Sequence, residues 1–368
     1  MKGFAPLRVL GLMSGTSMDG VDGAVLVTDG ERITAFGPSA FRPYTAPEAA
    51  ALAAAQGLWP GEAPARIRAA EQVILESHRA LAGQFGAIAL LGFHGQTLAH
   101  APAAGRSHQL GDGAALAAAT GIRTVWDFRT KDMAAGGCGA PLAPFFHWAC
   151  ARRAGLAEPV AFLNLGGVGN LTVVNPAAAT PDSPGALLAF DTGPANAPLN
   201  DLMLARLGRP FDENGMLAAR GAVHAPVLTR LLRHPCFARP PPRALDRHDF
   251  HAALDLVADL PDAAAAATLT ALPAACVAAN LCHLETVPNR WFVCGGGARN
   301  PRMMFELARR LPGTVAPAEA IGLNGDMLEA QAFAYLAVRV LRGLPTSAPG
   351  TTGCGRPVSG GRISPLSA

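Results

Sequence analysis

One local plan is written twice in this chain, and the repetition limits the folds open to it. Residues 11–23 read GLMSGTSMDGVDG, between short alternating apolar runs at 8–13 and 21–27. Alternation predicts strands, and the Ser/Gly/Thr and Asp-Gly cluster between them predicts a tight turn. In the second half, a strand at 160–165 runs into a glycine-rich turn at 166–170 and a returning strand at 171–174. Two halves that each open on a hairpin with a small-residue tip predict a duplicated α/β architecture closing on a cleft.

Such a tip can turn several backbone N–H groups and hydroxyls toward one point, which is what a phosphate needs. Asp19 and Asp22 stand at the far side of the first tip, where a phosphate-bound Mg²⁺ could be held through water. The other reading of 11–23 is an ordinary hairpin turn. A third glycine run, Gly295-Gly296-Gly297, follows a strand at 290–294. Without side chains it lets a flat or bulky ligand come close. None of these runs fits G-x-G-x-x-G, so the dinucleotide fingerprint is absent. Only Lys2 and Lys131 are lysines, and neither follows a glycine, which excludes a Walker A loop.

At 368 residues the chain suggests two domains, and with 50% hydrophobic and 15% charged residues it is globular. The expected division gives an N-terminal domain at 1–130, with the tail 342–368 returning to it, and a C-terminal domain at 131–341. A net charge of +3 with no basic run argues against nucleic acid. The seven cysteines are odd in number and form no CxxC pair, which suits small buried hydrophobes in a reducing cytosol. With no secretory leader, a cytoplasmic location is expected. The charge-free run at 263–282 is half alanine with Pro273 and Asn280 inside it. A packed helix is expected there rather than a membrane span.

Other segments place polar groups at strand ends, where α/β folds commonly hold ligands. Helices are expected at 46–55, 63–84, 113–120, 145–153, 197–207 and 301–311, and a third strand at 33–36. A strand at 87–93 leads into a loop carrying His94, Gly95 and Gln96, and one at 123–126 leads into Asp127-Phe128-Arg129. Asp127 and Arg129 could form a structural ion pair, or Arg129 could hold an anionic or hydroxyl-rich ligand. A strand at 186–190 ends at Asp191, a candidate general base or an Asx-type turn carboxylate. Glu329 lies in a helix reaching 341 and is either near the site or a solvent-facing or capping residue.

The order of first hairpin, second hairpin and Gly-Gly-Gly after a strand resembles the actin, Hsp70 and sugar-kinase superfamily. More narrowly, MSGTSMDGVD (13–22), GFHGQT (92–97), DFR (127–129), GGCGAPLAP (136–144), FDTGPAN (190–196), CGGGARN (294–300) and GDMLEAQAFA (325–334) resemble the anhydro-N-acetylmuramic acid kinases. The motifs span nearly the whole chain in the family order. A glycine is more usual in the family at Ala195, an alanine at Gly169 and often a glutamine at Cys138.

The resemblance implies an α/β, two-domain actin-like (ribonuclease H-like) ATPase fold, its duplicated mixed sheet flanked by helices and its active site in the interdomain cleft. It implies an enzyme of peptidoglycan recycling that uses ATP, Mg²⁺ and water to open 1,6-anhydro-N-acetylmuramic acid and phosphorylate O6. ATP would lie on Gly15, Thr16, Ser17, Met18, Asp19, Gly20, Val21 and Asp22, on Gly166 and Gly167, and on Gly295, Gly296 and Gly297, with Asp19 toward the metal. Asp191 matches the catalytic aspartate, and His94, Gly95, Arg129 and Glu329 would bind the sugar. The expected partners are small molecules, with no nucleic acid or membrane, and a homodimer is allowed. The alternatives are another sugar kinase of this fold, a nucleotide-driven actin- or Hsp70-like ATPase, and a glycosidase using Asp191 and Glu329.

Overall fold

The structure, a computed structural model, describes residues 4–245, 250 and 252–364. The chain divides into two compact units, Met1–Arg153 with Met327–Ala368, and Ala154–Asp326.

The first unit opens on an antiparallel meander of β1 (Leu7–Ser14), β2 (Gly20–Thr28) and β3 (Ile33–Pro43). Helices α1 (Ala46–Ala55) and α2 (Pro64–Ala82) follow, then β4 (Leu90–Phe93) and a small hairpin of β5 (Gln96–Ala101) and β6 (Arg106–Leu110). After α3 (Gly113–Thr120) and β7 (Thr124–Trp126) come α4 (Thr130–Ala134) and α5 (Pro144–Arg153). Local chemistry sets the helix starts. Thr45 and Glu48 form a reciprocal capping box on α1, and Asp112 caps α3 by accepting from the amides of Ala114 and Ala115.

The second unit contains β8 (Val160–Leu165), β9 (Val168–Val174), β10 (Leu187–Pro194) and α6 (Asn196–Leu207). It continues through α7 (Ala225–Leu231), α8 (Ala252–Leu256), α9 (Asp262–Ala279), β11 (Arg290–Cys294), α10 (Pro301–Arg310) and β12 (Thr314–Pro317). The chain then returns to the first unit as α11 (Leu328–Leu341), α12 (Pro349–Thr352) and β13 (Arg362–Ser364).

The two sheets repeat one another. Their orders are β13-β7-β4-β1-β2-β3 and β10-β9-β8-β11-β12. In each, the first strand of a meander takes a parallel neighbour, β4 beside β1 and β11 beside β8, and a further parallel strand lies outside it. This is the duplicated mixed sheet, flanked by helices, expected from the sequence.

Alternation along β1 and β2 buries Leu10, Leu12, Val21 and Val25 against Leu52, Ile74 and Leu81 of α1 and α2. Each such side chain contributes roughly 1.5–3 kcal/mol on leaving water. In the second unit, Leu163, Leu171, Phe190 and Trp291 meet Met303 and Leu307 of α10 and Val277 of α9. Helix α9, with the short turn after it, is long and apolar enough to cross a membrane, but every residue from Ala265 to Val277 is buried inside this unit. It is the core helix that the alanine-rich run predicts.

The structure departs from the sequence expectations at several edges. Strand β9 begins at Val168, shrinking the second turn to Gly166-Gly167, and β10 continues through Asp191 to Pro194 with a bulge between Asp191 and Gly193. Ladder pairing, with Asn170 opposite Asp191, outweighs the turn character of Thr-Gly-Pro. Strand β3 runs on to Pro43 because it pairs with β2 along its length, and Gln96 opens β5 rather than lying in a loop. Helix α11 runs from Leu328 to Leu341, with Glu329 inside it and its end at 341 as expected. The division falls at 153/154 and 326/327 rather than 130/131 and 341/342. Helices α4, α5 and α11 stay in the first unit because the buried Asp132 carboxylate accepts from Ser347 and Thr352, and the Phe146 and Tyr335 rings lie 5.9 Å apart. The tail does return to the first sheet, as β13 pairs antiparallel with β7.

Candidate active site

In the first unit the ladder of β1 and β2 closes at Ser14 opposite Val21, leaving Gly15 to Asp19 as the tip. Only the Met18 amide donates within the tip, to the Gly15 carbonyl at 3.1 Å; among the described hydrogen bonds the amides of Gly15, Thr16, Ser17 and Asp19 have no protein acceptor. Met18 takes a left-handed backbone (φ 54°), which sharpens the turn. A buried polar anchor holds the tip from below. The Ser14 hydroxyl donates to Gln96 Oε1 at 2.6 Å, so the Tyr44 hydroxyl, 2.7 Å away, donates to Ser14. Gln96 Nε2 donates onward to the Gly15 carbonyl at 3.1 Å.

Asp19 is exposed and accepts from the Ser17 hydroxyl at 2.8 Å. Among the described residues no group of three or more His, Cys, Asp or Glu could hold a metal ion. A lone exposed carboxylate suits Mg²⁺, which keeps most of its waters and leans on substrate phosphates. Gly20, Val21 and Asp22 lie beyond the tip in β2; the Val21 side chain is core, and a Cβ on Gly20 would stand 2.4 Å from the Arg42 carbonyl oxygen.

A second cluster in the same unit gathers His94, Gly95, Arg129 and Glu329. His94 is buried just after β4, its ring 4.4 Å from that of Phe333 on α11. Arg129 Nη2 lies 3.0 Å from His94 Nε2, Gln109 Nε2 lies 2.8 Å from the same atom, and His94 Nδ1 lies 2.9 Å from the Gly95 carbonyl. Two obligate donors on Nε2 and an acceptor at Nδ1 fix the neutral, Nδ1-protonated imidazole. Burial, and then the Arg129 charge, push the His94 pKa well below its ordinary value. Gln109 Nε2 also donates to the His94 carbonyl at 3.0 Å, which fixes the orientation of that amide, and Thr97 donates to its Oε1 at 2.8 Å.

Arg129 Nη1 donates to the Gly139 carbonyl at 2.7 Å, while its buried Nε has no described partner. Burial lowers the guanidinium pKa, and the charges of Glu329 and Asp132 pull it back up. Arg129 does not pair with Asp127, which instead bonds Arg362 at 2.8 Å and accepts from Thr130. Glu329, in the first turn of α11, is open to solvent, so it is not part of the core. Crowding by protein nevertheless raises its carboxyl above the ordinary value, against the pull of Arg129.

In the second unit the carbonyls of Gly166 and Gly167 accept from the amides of Asn196 and Ala195, at 2.8 and 2.9 Å. This docks the tip on the start of α6, and Asn196 Nδ2 adds a bond to the Leu165 carbonyl at 2.7 Å. The amides of Gly166 and Gly167 have no described acceptor. The glycine run meets the same place: a Cβ on Gly295 would lie 2.3 Å from Asn164 Oδ1, and one on Gly297 would lie 2.5 Å from the Leu165 Cβ. Gly295 also needs its left-handed φ of 75°.

Asp191 sits beside this tip. Its Oδ1 accepts from Asn170 Nδ2 at 2.9 Å and its Oδ2 from the Leu245 amide at 2.8 Å. Burial raises its pKa, against the opposing effects of these two donors and of Arg243. Arg243 fixes the bulge itself. Its carbonyl accepts from the Asp191 amide, its Nε donates to the Asp191 carbonyl, and its Nη2 bonds Asn280, which in turn donates to the Thr192 carbonyl. A carboxylate so held can accept a proton at a fixed point.

Two groupings therefore form, one in each unit: the first tip with the His94–Arg129–Glu329 cluster, and the second tip with Gly295–Gly297 and Asp191. Sequence reasoning did not single out Gln96, Tyr44 and Gln109, nor Asn170, Asn196 and Arg243. Gln96 and Asn196 stand inside the quoted motifs and could have been found there; Arg243 and Gln109 act from distant segments without a local signal.

A family model described as anhydro-N-acetylmuramic acid kinase matches residues 7–366. The anhydro-N-acetylmuramic acid kinase of Cereibacter sphaeroides is 59% identical over 96% of this chain and 95% of its own. That of Roseobacter denitrificans is 57% identical over 98% and 94%. Among solved structures, a glucokinase of the ROK family from Streptomyces griseus aligns with 90% of this chain and 99% of its own, at 14% identity and a TM-score of 0.42. The chain belongs to the anhydro-N-acetylmuramic acid kinase family and is an ATP-dependent carbohydrate kinase.

Proposed function

We propose that this kinase opens 1,6-anhydro-N-acetylmuramic acid with water and phosphorylates O6, giving N-acetylmuramic acid 6-phosphate and ADP in peptidoglycan recycling. The observation that carries the reading is Asp191, a carboxylate gripped at both oxygens and raised in pKa by burial, beside a glycine-rich tip. Asp191 takes a proton from water as the water oxygen bonds to the anomeric carbon. The bond from that carbon to O6 breaks, O6 bonds to the γ-phosphorus, and the bridging P–O bond breaks to release ADP. A base poised in this way contributes roughly 10²–10⁴-fold.

The unpaired amides of the two tips, at Gly15, Thr16, Ser17 and Asp19 and at Gly166 and Gly167, are suited to phosphate oxygens. Of the glycine run, the exposed Gly296 would face the adenosine side, while Gly295 and Gly297 let the run pack on Asn164 and Leu165. Asp19 would hold Mg²⁺ through water, and the ion would neutralise charge on the phosphates. The fork of Arg129, backed by neutral His94, and the carboxylate of Glu329 would hold and orient the sugar beside Gly95. The use of ATP supports a cytoplasmic location.

The test incubates the protein with ATP, Mg²⁺, ¹⁸O-water and the anhydro sugar. The expected products are ADP and a 6-phosphosugar labelled at C1. An unlabelled sugar phosphate would point to another sugar kinase, free sugar without ADP to a glycosidase, and sugar-independent turnover to a nucleotide-driven ATPase. Asp191→Asn should abolish turnover while ATP still binds, since asparagine cannot accept from both Asn170 and Leu245 or take the proton.

A further inference from the structure

Asp132, in α4, is a fully buried acid that the reaction above does not use. Among the described residues the other fully buried acid, Glu306, sits among Arg302, Arg309 and Arg310, whereas no described cation forms an ion pair with Asp132. Hydrogen-bond donors answer its charge instead. The hydroxyls of Ser347 and Thr352 donate to Oδ1, the latter at 2.7 Å, and the Gly139 amide donates to Oδ2 at 2.7 Å. The Gly137 amide donates to the Asp132 carbonyl at 3.0 Å, and a Cβ on Gly137 would stand 2.2 Å from Oδ2. The loop from Gly137 to Gly139 is therefore wrapped on the carboxylate with no room to spare.

The same glycine faces Arg129. Gly139 gives its amide to Asp132 and its carbonyl to Arg129 Nη1, and Arg129 Nη2 reaches His94. We propose that Asp132 is a positioning residue for the sugar: with the tail hydroxyls it fixes Gly139, and through Gly139 it aims the Arg129 guanidinium. The proposal rests on the reading that Arg129 holds the sugar. A carboxylate suits the task because all three partners donate to it, and a charged acceptor shortens and orients such bonds. It also explains why the tail crosses back to α4 at Ser347 and Thr352.

The test is steady-state kinetics on the full-length enzyme carrying D132A, D132N, R129K or D132A/R129K. D132A should raise the KM for the anhydro sugar about tenfold or more and leave the KM for ATP within about twofold. D132N should recover most of the loss, because its oxygen can still accept from Gly139 while the two hydroxyls turn to accept from its amide. In the R129K background D132A should add less than about twofold, as expected of two residues acting as one unit. Equal penalties in both backgrounds, or a joint rise in both KM values, would overturn the proposal by making Asp132 a general structural residue. R129K with unchanged sugar kinetics would overturn the Arg129 reading, and the proposal with it. If D132A does not fold, the double variant S347A/T352V takes its place in the same comparisons.

Discussion

Gly11 and Gly92 stand side by side on the parallel strands β1 and β4, and α11 lies directly on both. A methyl group on Gly11 would come within 1.7 Å of the Ala330 carbonyl oxygen, and one on Gly92 within 2.1 Å of that of Phe333. The glycine pair is thus a seat for the helix that carries Glu329 at its start and Phe333, against His94, one turn on. The distance of the α11 backbone from the sheet sets where both side chains stand.

Either Gly11→Ala or Gly92→Ala forces the α11 backbone outward, because the obstructing atoms are main chain and cannot rotate away. Overpacking of this kind costs about 1–3 kcal/mol. Urea unfolding should show a lower midpoint for each single variant. The double variant should lose less than the sum, since one outward shift of α11 relieves both clashes. Full additivity would mean that the helix does not move as a body.

His94 is expected to stay neutral across the interval of about pH 5 to 8 in which an ordinary histidine titrates. Burial and the neighbouring Arg129 both oppose its protonation, and both of its ring nitrogens are already engaged. The ¹⁵N shifts of the His94 ring should report a protonated Nδ1 and a bare Nε2, unchanged over that interval. Titration near an ordinary histidine pKa would mean that Arg129 does not sit against Nε2.

The backbone plan was legible because it rests on local pattern. Alternation announced β1 and β2, strands were expected where β8 and β11 lie, and the small-residue tips announced the turns. The β5–β6 hairpin escaped because it carries polar residues such as the partly buried His100 and Ser107 and the exposed Arg106, so no clean alternation marks it. The strand character of Asp191 escaped for a different reason: it depends on Asn170 across the ladder and on Arg243 from a distant loop. The same holds for the site. Residues named by motif were readable, while the groups that tune them, such as Gln109 on His94 and Asp132 on Gly139, are brought in by tertiary contact alone.

Asn170 offers a direct hold on the proposed base. Its side-chain amide donates to Asp191 Oδ1 at 2.9 Å and so favours the charged carboxylate, opposing the burial that raises the pKa. Removing the donor in Asn170→Ala must therefore raise the Asp191 pKa further, leaving less of the base ionised at low pH. A bond worth about 1 kcal/mol corresponds to about a fivefold smaller ionised fraction on the acid side. The acid limb of kcat/KM for the sugar should move to higher pH, with about fivefold less activity well below the midpoint and little change on the alkaline plateau. A limb that stays in place while the whole profile drops would assign Asn170 to substrate contact and detach Asp191 from the titration.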